Sequence, residues 1–548
     1  MLAIDPNTSA EPISWSKPEY SRTMLVAAIL LFFLAFCLGC SSGAKMIGSG
    51  SLSTAASSSG SGSGSSSGSS SGSGSGSGSS SGSGSGSEQT PLTLSPASQT
   101  IQVGQTIQFV LTGQATAASC TWTTSSPAIL SLVGDEEFQG QQVGTATVSV
   151  TCGGQTAQAL VSVTPQASSG PIQITSGGTY TGNWTSNDPA TAAVTIATDE
   201  PVTIQDSTIA SRGNLIYLTG ITTGANVTID NVTGTALDPG VAGAQRGQFV
   251  NGTRINSLIV KNCTMTGVSF GINLVGATVS NLQILNNQGV NLEDRASDGQ
   301  GGLEETEPYF GHFIILNGIV AAQGAEIAWN QLVQTMGQSS TTDVINIYRS
   351  QGSAGHPIWV HDNYLEGSSS PATPTNFNGA AIIADGAKTA PVTAFALFEN
   401  NEIVHTAGTG VAIANGHDIT ATGNRVVSCG RDAAGNWYSN QFVVGSYIWD
   451  AYSSGPSLYY NNTITSSAGG LVRPDGYGNP VAADFWGSTA AMTYPGDAQS
   501  GNDFTDPCLQ GVANGQVNLS AEDAERAYWA AKVAAAQQQI GDQHNAAQ

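Results

Sequence analysis

Short apolar runs that end in a polar residue recur along the chain between residues 166 and 515. The runs are "FIILN", "VINIYR", "AIIAD", "VAIAN" and "SYIWD", and they end at Asn317, Arg349, Asp385, Asn415 and Asp450. Their spacing is 32, 36, 30 and 35 residues. Self-similarity at such a period is typical of a repeat architecture, in which each repeat adds one layer to a continuous core. The pattern therefore predicts a stack of short strands.

A second unit interleaves with the first. It is an apolar strand, an asparagine and another apolar residue, at Asn330, Asn363, Asn401, Asn424 and Asn462. Asparagine amides stacked in a tight turn would satisfy backbone groups there. Together the two units resemble the right-handed parallel β-helix of the pectate-lyase-like superfamily, over about 350 residues. The resemblance implies an all-β fold, three strands in each coil and a substrate groove over the first sheet.

The alternation within the first unit predicts which side chains face the core. The inward stack is predicted to be Ile315, Ile347, Ile383, Ile413 and Ile448. The outward positions are then Leu316, Tyr348, Ala384, Ala414 and Trp449, and two places earlier Ile314, Asn346, Ile382, Ala412 and Tyr447. This phase predicts a groove with a small-residue floor and aromatic ends, in which Tyr348, Asn346, Asn415, Tyr447 and Trp449 bind substrate.

The polar ends of the strands supply candidate catalytic residues. Asp385 and Asp450 would lie two coils apart, roughly 9–10 Å, near the upper limit for the carboxylates of an inverting hydrolase. A lyase would instead use Arg349 to stabilise an enolate, with Ca²⁺ held by carboxylates such as Asp385. A third interpretation is that Arg349 and Asp385 form only an ion pair between neighbouring coils. Catalytic roles at Arg349, Asp385 and Asp450 are therefore hypotheses.

The two sheets are predicted to carry different histidines. His417, in "GHD", follows the strand that ends at Asn415 and is a candidate substrate-binding residue beside the groove. The fragment resembles the Gly-His-Gly of polygalacturonases, but the motifs that should accompany it are absent; a histidine in a surface turn is the alternative. His361 is predicted to lie on the second sheet and to pair with Glu399 across the strands. Asp343 is placed at the edge of the groove.

An acidic insertion between residues 291 and 312 leads directly into the strand "FIIL" and could overhang the groove. Its acidic residues are Glu293, Asp294, Asp298, Glu304, Glu305 and Glu307. No calcium-loop spacing is present. The insertion is interpreted as a solvated loop, with a Ca²⁺ site as the alternative.

The N-terminal region indicates export. The apolar run Met24–Gly39 is short for a spanning helix and is typical of a signal-peptide core. It ends at "LGC", which resembles a bacterial lipobox with Cys40 as the lipidated residue; an uncleaved signal anchor is the alternative. Of residues 48–87, 36 of 40 are serine or glycine. Residues 41–87 are thus predicted to be a flexible tether with a reach of roughly 35 Å.

Two further segments flank the repeat array. Residues 88–165 contain short alternating strands, and "VGTATVSV" resembles a bacterial immunoglobulin-like domain. That resemblance implies a Cys120–Cys152 disulfide near Trp122 and a role as spacer or carbohydrate-binding accessory. The alanine-rich residues 516–548 predict a helix that caps the open end of the β-helix, or else a loose tail.

Composition narrows the function classes. The net charge is −23, and no lysine or arginine occurs between Lys45 and Arg212. This composition argues against nucleic acid and anionic membrane surfaces as partners. The sequence therefore predicts an exported surface or outer-membrane lipoprotein that binds polysaccharide. Depolymerisation of that polysaccharide, by a lyase or a glycoside hydrolase, is the enzyme hypothesis. The alternative is a non-catalytic adhesin or glycan-binding scaffold.

Overall fold

A computed structural model describes residues 90–542, except 114–119, 135, 165–167, 305–309, 336–337, 369–379, 433, 438–443, 476, 478, 484 and 487–493. The predictions for Met24–Gly39, Cys40, the serine/glycine tether, Glu305 and Glu307 lie outside the described residues. Among the described residues, no helix combines the length and apolar character needed to cross a bilayer.

The first described segment forms small sheets around a core of its own. One sheet contains Ser98–Gln102, Gln155–Thr164, Gly144–Cys152 and Thr121–Thr124; another contains Thr106–Gln108, Glu137–Gly140 and Leu130–Gly134; Thr93–Ser95 pairs with Val110–Thr112. Alternation along the strands buries Val148, Val150 and Val161. The structure joins Cys120 to Cys152, the pair that the resemblance implies. Trp122 packs against the same core.

From Ile172 onward the described chain builds two long sheets. The eleven-stranded sheet contains Ile172–Ile174, Val194–Ile196, Ile216–Leu218, Val250–Gly252, Phe270–Val275, His312–Asn317, Asp343–Tyr348, Ile382–Asp385, Thr409–Ile413, Val444–Ile448 and Phe485–Trp486. Each strand pairs in parallel with the next one in this order.

The twenty-stranded sheet carries the remaining strands of these coils. They are Gly178–Tyr180, Asn183–Ser186, Pro201–Ser211, Ala225–Ala236, Ile255–Lys261, Thr264–Thr266, Asn281–Leu285, Gln288–Val290, Ala325–Ala328, Gln331–Val333, Ile358–His361, Tyr364–Ser368, Ala394–Glu399, Glu402–Thr406, His417–Thr422, Arg425–Ser428, Thr463–Thr465, Ala468–Pro474, Pro480–Ala482 and Ala498–Ser500. Pro480–Ala482 pairs antiparallel with Ala468–Pro474.

The chain returns to the same sheet once in every coil. Asp343–Tyr348 pairs with Ile382–Asp385, and Ile358–His361 pairs with Ala394–Glu399, each in parallel. Tyr364–Ser368 likewise pairs with Glu402–Thr406. Apolar side chains of successive coils fill the space between the sheets. The predicted all-β class with a parallel β-helix and a short C-terminal helix is therefore confirmed.

The predicted phase is wrong in two coils. The inward column of the eleven-stranded sheet is Leu316, Ile347, Ala384, Ile413 and Ile448. Ile347, Ile413 and Ile448 thus face inward as predicted, whereas Ile315 and Ile383 face outward and Leu316 and Ala384 inward. Ile314 and Ile382, predicted outward, are also core residues. The cause is that Asn317 and Asp385 align with Tyr348 and not with Arg349, so these two runs end one residue earlier.

Stacked asparagines bond neighbouring coils along the turn between the two strand columns of the twenty-stranded sheet. In this amide ladder, Asn287, Asn330, Asn363, Asn401 and Asn424 follow one another, and each Nδ2 donates to the next Oδ1 at 2.9 Å. All are fully or almost fully buried. The residue before each takes a positive φ, as at Asn286 and Asp362. The turn therefore places every ladder amide inside the stack.

The prediction for Asn462 is wrong. Arg425 aligns with Ala468, so Ser467 and not Asn462 follows Asn424 in the ladder. Asn462 is buried elsewhere, where its backbone N–H donates to Asp497 and its Nδ2 donates to the Gly416 carbonyl.

The C-terminal helix α1, Ser520–Ala535, lies against the side of the β-helix and does not cap its end. Its Glu522 contacts His405, Arg526 contacts Glu366, and Trp529 contacts Gln331. Beyond the helix, the Asp542 backbone N–H donates to Thr264 Oγ1 at 3.0 Å. The helix and the residues after it therefore cross several coils. The capping prediction is wrong because the apolar partners of the helix lie on the twenty-stranded sheet, along the side of the β-helix.

Candidate active site on the eleven-stranded sheet

Two aspartates on adjacent strands share one asparagine amide. Asp343 begins its strand, Asn346 points outward from the same strand, and Asp385 ends the next one. Asn346 Nδ2 donates to Asp343 Oδ2 at 3.0 Å and to Asp385 Oδ2 at 3.3 Å. Because the two amide hydrogens diverge, the bonded carboxylate oxygens are about 5–6 Å apart. Asp343 and Asp385 are called the carboxylate pair below.

Burial raises the proton affinity of Asp343. Desolvation, and secondarily the charge of Asp385, raise the pKa of Asp343 to about 7. A backbone N–H from Ala380 reaches its Oδ1 at 3.1 Å and opposes this shift only in part. On the preceding strand, buried His312 places Nδ1 2.9 Å from the Asp343 carbonyl oxygen, and burial lowers the pKa of His312 to about 4. His312 is therefore neutral at physiological pH.

Asp385 has a more polar environment than its partner. Tyr452 Oη donates to Asp385 Oδ1, and the Gly386 N–H donates to the same oxygen at 2.8 Å. On balance, burial raises the pKa of Asp385 above its ordinary value, although the hydrogen bonds from Tyr452, Gly386 and Asn346 oppose this shift. Asn346 Oδ1 is buried without a hydrogen-bond partner in the described structure. The two carboxyl groups are thus chemically distinct.

A largely buried apolar cluster follows the pair along the outward column, in which Ala412 is fully buried and Tyr447 is 7% exposed. Asn346 is succeeded by Ile383, Ala412 and Tyr447. These side chains pack with Tyr452 and other residues in an outer cluster separate from the main core. The cluster also contains Trp449, whose ring lies 6.2 Å from that of Tyr447 in an edge-to-face arrangement. Tyr348, half-buried, aligns with Asp385.

The structure thus brings several predicted substrate-binding residues to one face. Those on or beside the outward face of the sheet are Asn346, Tyr348, Tyr447 and Trp449. Ala412 is outward as predicted, but Ala384 belongs to the core and is not part of the groove floor.

Arg349 lies beside Asp385 through its backbone but turns its guanidinium away. The Arg349 N–H donates to the Asp385 carbonyl at 3.1 Å, and the residue has a φ of 49°. Its Nε donates to the Pro391 carbonyl at 3.0 Å and its Nη2 to the Ala390 carbonyl at 3.3 Å. The predicted ion pair with Asp385 is absent from the described ion pairs. Arg349 therefore fastens the chain that follows Asp385.

Asp450 and Asn415 hold a neighbouring turn. The two Asp450 oxygens accept the N–H groups of Ser454 and Gly455, each at 2.9 Å. Asn415 Nδ2 donates to Ser454 Oγ at 2.8 Å and to the Ala387 carbonyl at 3.1 Å. These contacts favour a structural role for Asp450, whose oxygens are already occupied by backbone donors.

Both histidines singled out in the sequence belong to the twenty-stranded sheet. His417 begins the strand His417–Thr422, stacks on Tyr460 at 4.5 Å and bonds to Asp418, so its predicted place beside the groove is wrong. His361 aligns with Glu399 as predicted. Glu399 nevertheless accepts from Trp359, while His361 contacts Asp362 and Glu326.

The acidic insertion is partly a buried structure. Glu293 and Arg295 form a buried ion pair with distances of 2.7 and 2.6 Å. Asp294 is also buried, which raises its pKa to about 6. Asp298 accepts backbone N–H groups within its own loop. In the described ranges, no three His, Cys, Asp or Glu side chains are arranged to hold a metal ion.

Comparison of the chain with models of known protein families and with curated proteins found no match. Function is therefore inferred from the geometry of the carboxylate pair. The sequence pattern predicts Asp343 only at the groove edge and does not single out His312 or Tyr452. The available signal was the spacing in "DVIN", where an aspartate and an outward asparagine precede the aspartate of the next unit.

Proposed function

We propose that the protein hydrolyses glycosidic bonds in a polysaccharide, with Asp343 and Asp385 as the reacting carboxyl groups. The observation that carries this proposal is the shared Asn346 amide, which bonds one oxygen of Asp343 at 3.0 Å and one oxygen of Asp385 at 3.3 Å. Glycoside hydrolysis requires one protonated and one ionised carboxyl group at the scissile bond. A pair whose environments differ is the usual way to obtain both states at one pH.

Asp343 is the proposed general acid and Asp385 the proposed nucleophile. The pKa of Asp343, about 7, favours a retained proton that passes to the oxygen of the leaving sugar. Asp385 Oδ2 then bonds to the anomeric carbon as the glycosidic bond breaks. Asp343, now ionised, takes a proton from water, and the hydroxide displaces Asp385. The short separation favours this retaining course over inversion, which needs about 6.5–9.5 Å.

Ile383 and Tyr348, which are half-buried, offer a sugar chain the accessible part of the region beside the pair, whereas Ala412 and Tyr447 are buried. Ile383, Ala412 and Tyr447 continue the outward column from Asn346, and Tyr348 lies next to Asp385. Aromatic and apolar side chains with a few convergent polar groups are typical of ligand sites. The lyase alternative is disfavoured because the Arg349 guanidinium is bonded to two carbonyls and does not face the pair.

Tethering at the cell surface is proposed together with this activity. The lipobox resemblance at Cys40 and the long serine/glycine segment favour an exported, lipid-anchored protein. The small sheets that contain Cys120 and Cys152 would then be an immunoglobulin-like spacer between the tether and the β-helix. The pectate-lyase-like resemblance is retained as the proposed relationship of the β-helix.

The test uses the full chain, purified in detergent and incubated with neutral and acidic polysaccharides. New reducing ends without ultraviolet-absorbing products are expected. Asp343→Asn and Asp385→Asn should each lower kcat by roughly 10²–10⁴-fold. Asp230→Asn is the matched control, because Asp230 pairs with Lys261 on the other sheet. Its kcat should remain at the wild-type value.

Chemical rescue separates catalysis from misfolding. Azide should restore turnover to the Asp385→Ala variant, because the anion can replace the missing nucleophile. Ultraviolet-absorbing products would instead support the lyase. Binding without turnover, unchanged in both aspartate variants, would support the non-catalytic scaffold and reject the hydrolase.

A further inference from the structure

A cleft opens over the first coils, away from the carboxylate pair. Its volume is about 530 Å³. Thr195 and Tyr217 lie in its floor, at aligned positions on the eleven-stranded sheet. Arg212 and Arg246 lie in its wall, and the cleft is called the arginine cleft below. Two arginines in one cleft are unusual in a chain with only 15 lysines and arginines and a net charge of −23.

Both guanidinium groups lie against bare glycine backbone. A Cβ at Gly240 would come within 2.7 Å of Arg212 Nη1, and a Cβ at Gly267 within 2.9 Å of Arg246 Nη1. These glycines also have positive φ values of 68° and 64°. Space and backbone conformation therefore both favour glycine at these two points. The local backbone leaves room for the arginines.

The arginine charges are only partly neutralised. Neither Arg212 nor Arg246 has a salt bridge among the ion pairs of the described residues, and Arg246 Nε is buried without a hydrogen-bond partner. Two carboxylates lie close to the cleft. Asp188 accepts hydrogen bonds from the Ala190 N–H and the Thr191 hydroxyl, which line the cleft, and Asp238 accepts from the Gly240 N–H. Hydrogen bonds from Ser297 and the Gly240 N–H lower the pKa of Asp238 most, and the charges of the two arginines lower it further. Arg212 and Arg246 are nevertheless the only charged side chains among the described residues that line the cleft.

Amides and an aromatic ring complete the cleft. Asn214 Oδ1 accepts from the Gln248 N–H at 3.1 Å, and Gln248 Oε1 accepts from Asn273 Nδ2 at 3.0 Å. These bonds orient Asn214 and Gln248 at the cleft. Guanidinium groups recognise planar or tetrahedral oxyanions, and a tyrosine face with neighbouring amides suits a sugar ring.

We infer that the arginine cleft binds a saccharide through an anionic substituent, a carboxylate or a sulfate, recognised by Arg212 and Arg246. Tyr217 stands four strands before Asn346 in the outward column, through Asn251, Asn273 and Ile315. At about 4.8 Å for each strand, the separation is roughly 19 Å, which one extended oligosaccharide can span. The inference that the bound anion belongs to a saccharide rests on the proposed function. The inference that the cleft binds an anion rests only on the residues of the cleft.

The experiment measures binding with turnover blocked. Full-length Asp385→Asn protein is titrated calorimetrically with three tetrasaccharides of one backbone: neutral, carboxylated and sulfated. At least one anionic form should bind ten-fold or more tightly than the neutral form, and its Kd should rise with salt concentration. The stronger of the two anionic forms identifies the substituent. Inorganic sulfate should compete with it.

Arginine variants locate the anion site. Arg212→Gln and Arg246→Gln should each raise the Kd of the anionic form by roughly five- to twenty-fold and leave the Kd of the neutral form unchanged. Arg254→Gln is the matched control, since it removes the same charge where the guanidinium donates to the Ile221 carbonyl. Thermal unfolding confirms that each variant is folded.

The outcomes separate this inference from the proposed hydrolase. Equal affinity for neutral and anionic forms, or an equal loss in Arg254→Gln, would reject the arginine cleft. Arginine-dependent binding by a wild-type protein that cleaves no polysaccharide would support the cleft and reject the hydrolase. Cleavage that is insensitive to both cleft variants, with no preference for anionic forms, would support the hydrolase and reject the arginine cleft.

Discussion

At the residue scale, similar carboxyl groups acquire opposite proton affinities from their surroundings. Burial raises the pKa of Asp343 to about 7. Asp199 is half-buried and accepts the N–H groups of Ile221, Thr222 and Thr223, which lower its pKa. Both residues are aspartates in an all-β chain, and the sequence around them does not predict the direction of either pKa shift. The contacts that produce the shifts come from other coils.

The Asp343 shift predicts a pH-dependent penalty on stability. Its folded pKa exceeds the unfolded value of about 3.9, so the folded protein holds the proton more tightly and loses stability as pH rises from about 4 to 7. Asp343→Asn removes this loss. After allowance for partial exposure, the variant should be about 2 kcal/mol more stable than wild type at pH 8, with no gain near pH 3. Chemical unfolding at both pH values measures the difference.

Asp199→Asn provides a control of opposite sign. The folded pKa of Asp199 is depressed, so its stabilisation is present above the unfolded pKa and disappears as pH falls through the folded pKa. This variant should be less stable than wild type at pH 8 and approach it in acid. A matching loss of stability in Asp343→Asn at pH 8 would contradict the burial argument.

At the element scale, the sequence predicted the strands better than their register. The recurring asparagines predicted the amide ladder because one polar residue at a fixed place in an apolar pattern has few structural explanations. The same reasoning misplaced Asn462, since Ser467 occupies the ladder position there. It also misplaced Ile315 and Ile383 by one residue, because the polar residue that ends a strand need not occupy equivalent positions in successive coils.

The ladder predicts a large cost for removing one central amide. Asn363 accepts from the backbone and side chain of Asn330, and it donates to Asn401 Oδ1 and the Ile327 carbonyl. Asn363→Ala leaves these buried groups without partners and should cost about 3 kcal/mol in the free energy of unfolding. Urea unfolding measures the cost.

Asn281→Ala is the control for the ladder variant, because Asn281 is half-buried and points outward from the same sheet. It should cost below about 1 kcal/mol. Equal costs for the two variants would show that the ladder contributes no more than an ordinary surface amide.

At the scale of the whole molecule, the C-terminal helix joins coils that are distant in sequence. Arg425 and Glu525 pair across 100 residues, and Asp542 and Thr264 bond across 278. The alanine-rich composition of residues 516–548 predicted the helix but not its docking surface, because no local pattern encodes contacts at such separations. The carboxylate pair escaped prediction for the same reason. A disulfide between Cys429 and Cys508 fastens the chain just before the helix.

Trp529 anchors the helix and offers a test of its role. Its buried ring lies 5.4 Å from Tyr364 and 5.9 Å from Trp329, and Nε1 donates to Gln331. Trp529→Ala should cost about 3–5 kcal/mol and accelerate amide hydrogen exchange in the covered strands Tyr364–Ser368 and Glu402–Thr406. Mass spectrometry of exchanged peptides measures the local effect.

Two comparisons identify the source of the exchange. Tyr528→Ala removes an exposed aromatic ring from the same helix and should leave exchange nearly unchanged. The strand Thr409–Ile413 lies on the other sheet and should keep its protection in both variants. Uniform acceleration throughout the β-helix would show that the helix stabilises the entire fold and not one side.

The amide ladder also has a consequence for how such a protein can change over generations. Successive ladder residues are separated by 43, 33, 38 and 23 residues, yet each step contains the same Nδ2-to-Oδ1 bond. One asparagine per coil is thus compatible with about twenty extra residues elsewhere in that coil. Insertions and deletions can accumulate in the connections around the carboxylate pair while the stack persists. Mutation can thereby explore new specificities without rebuilding the scaffold.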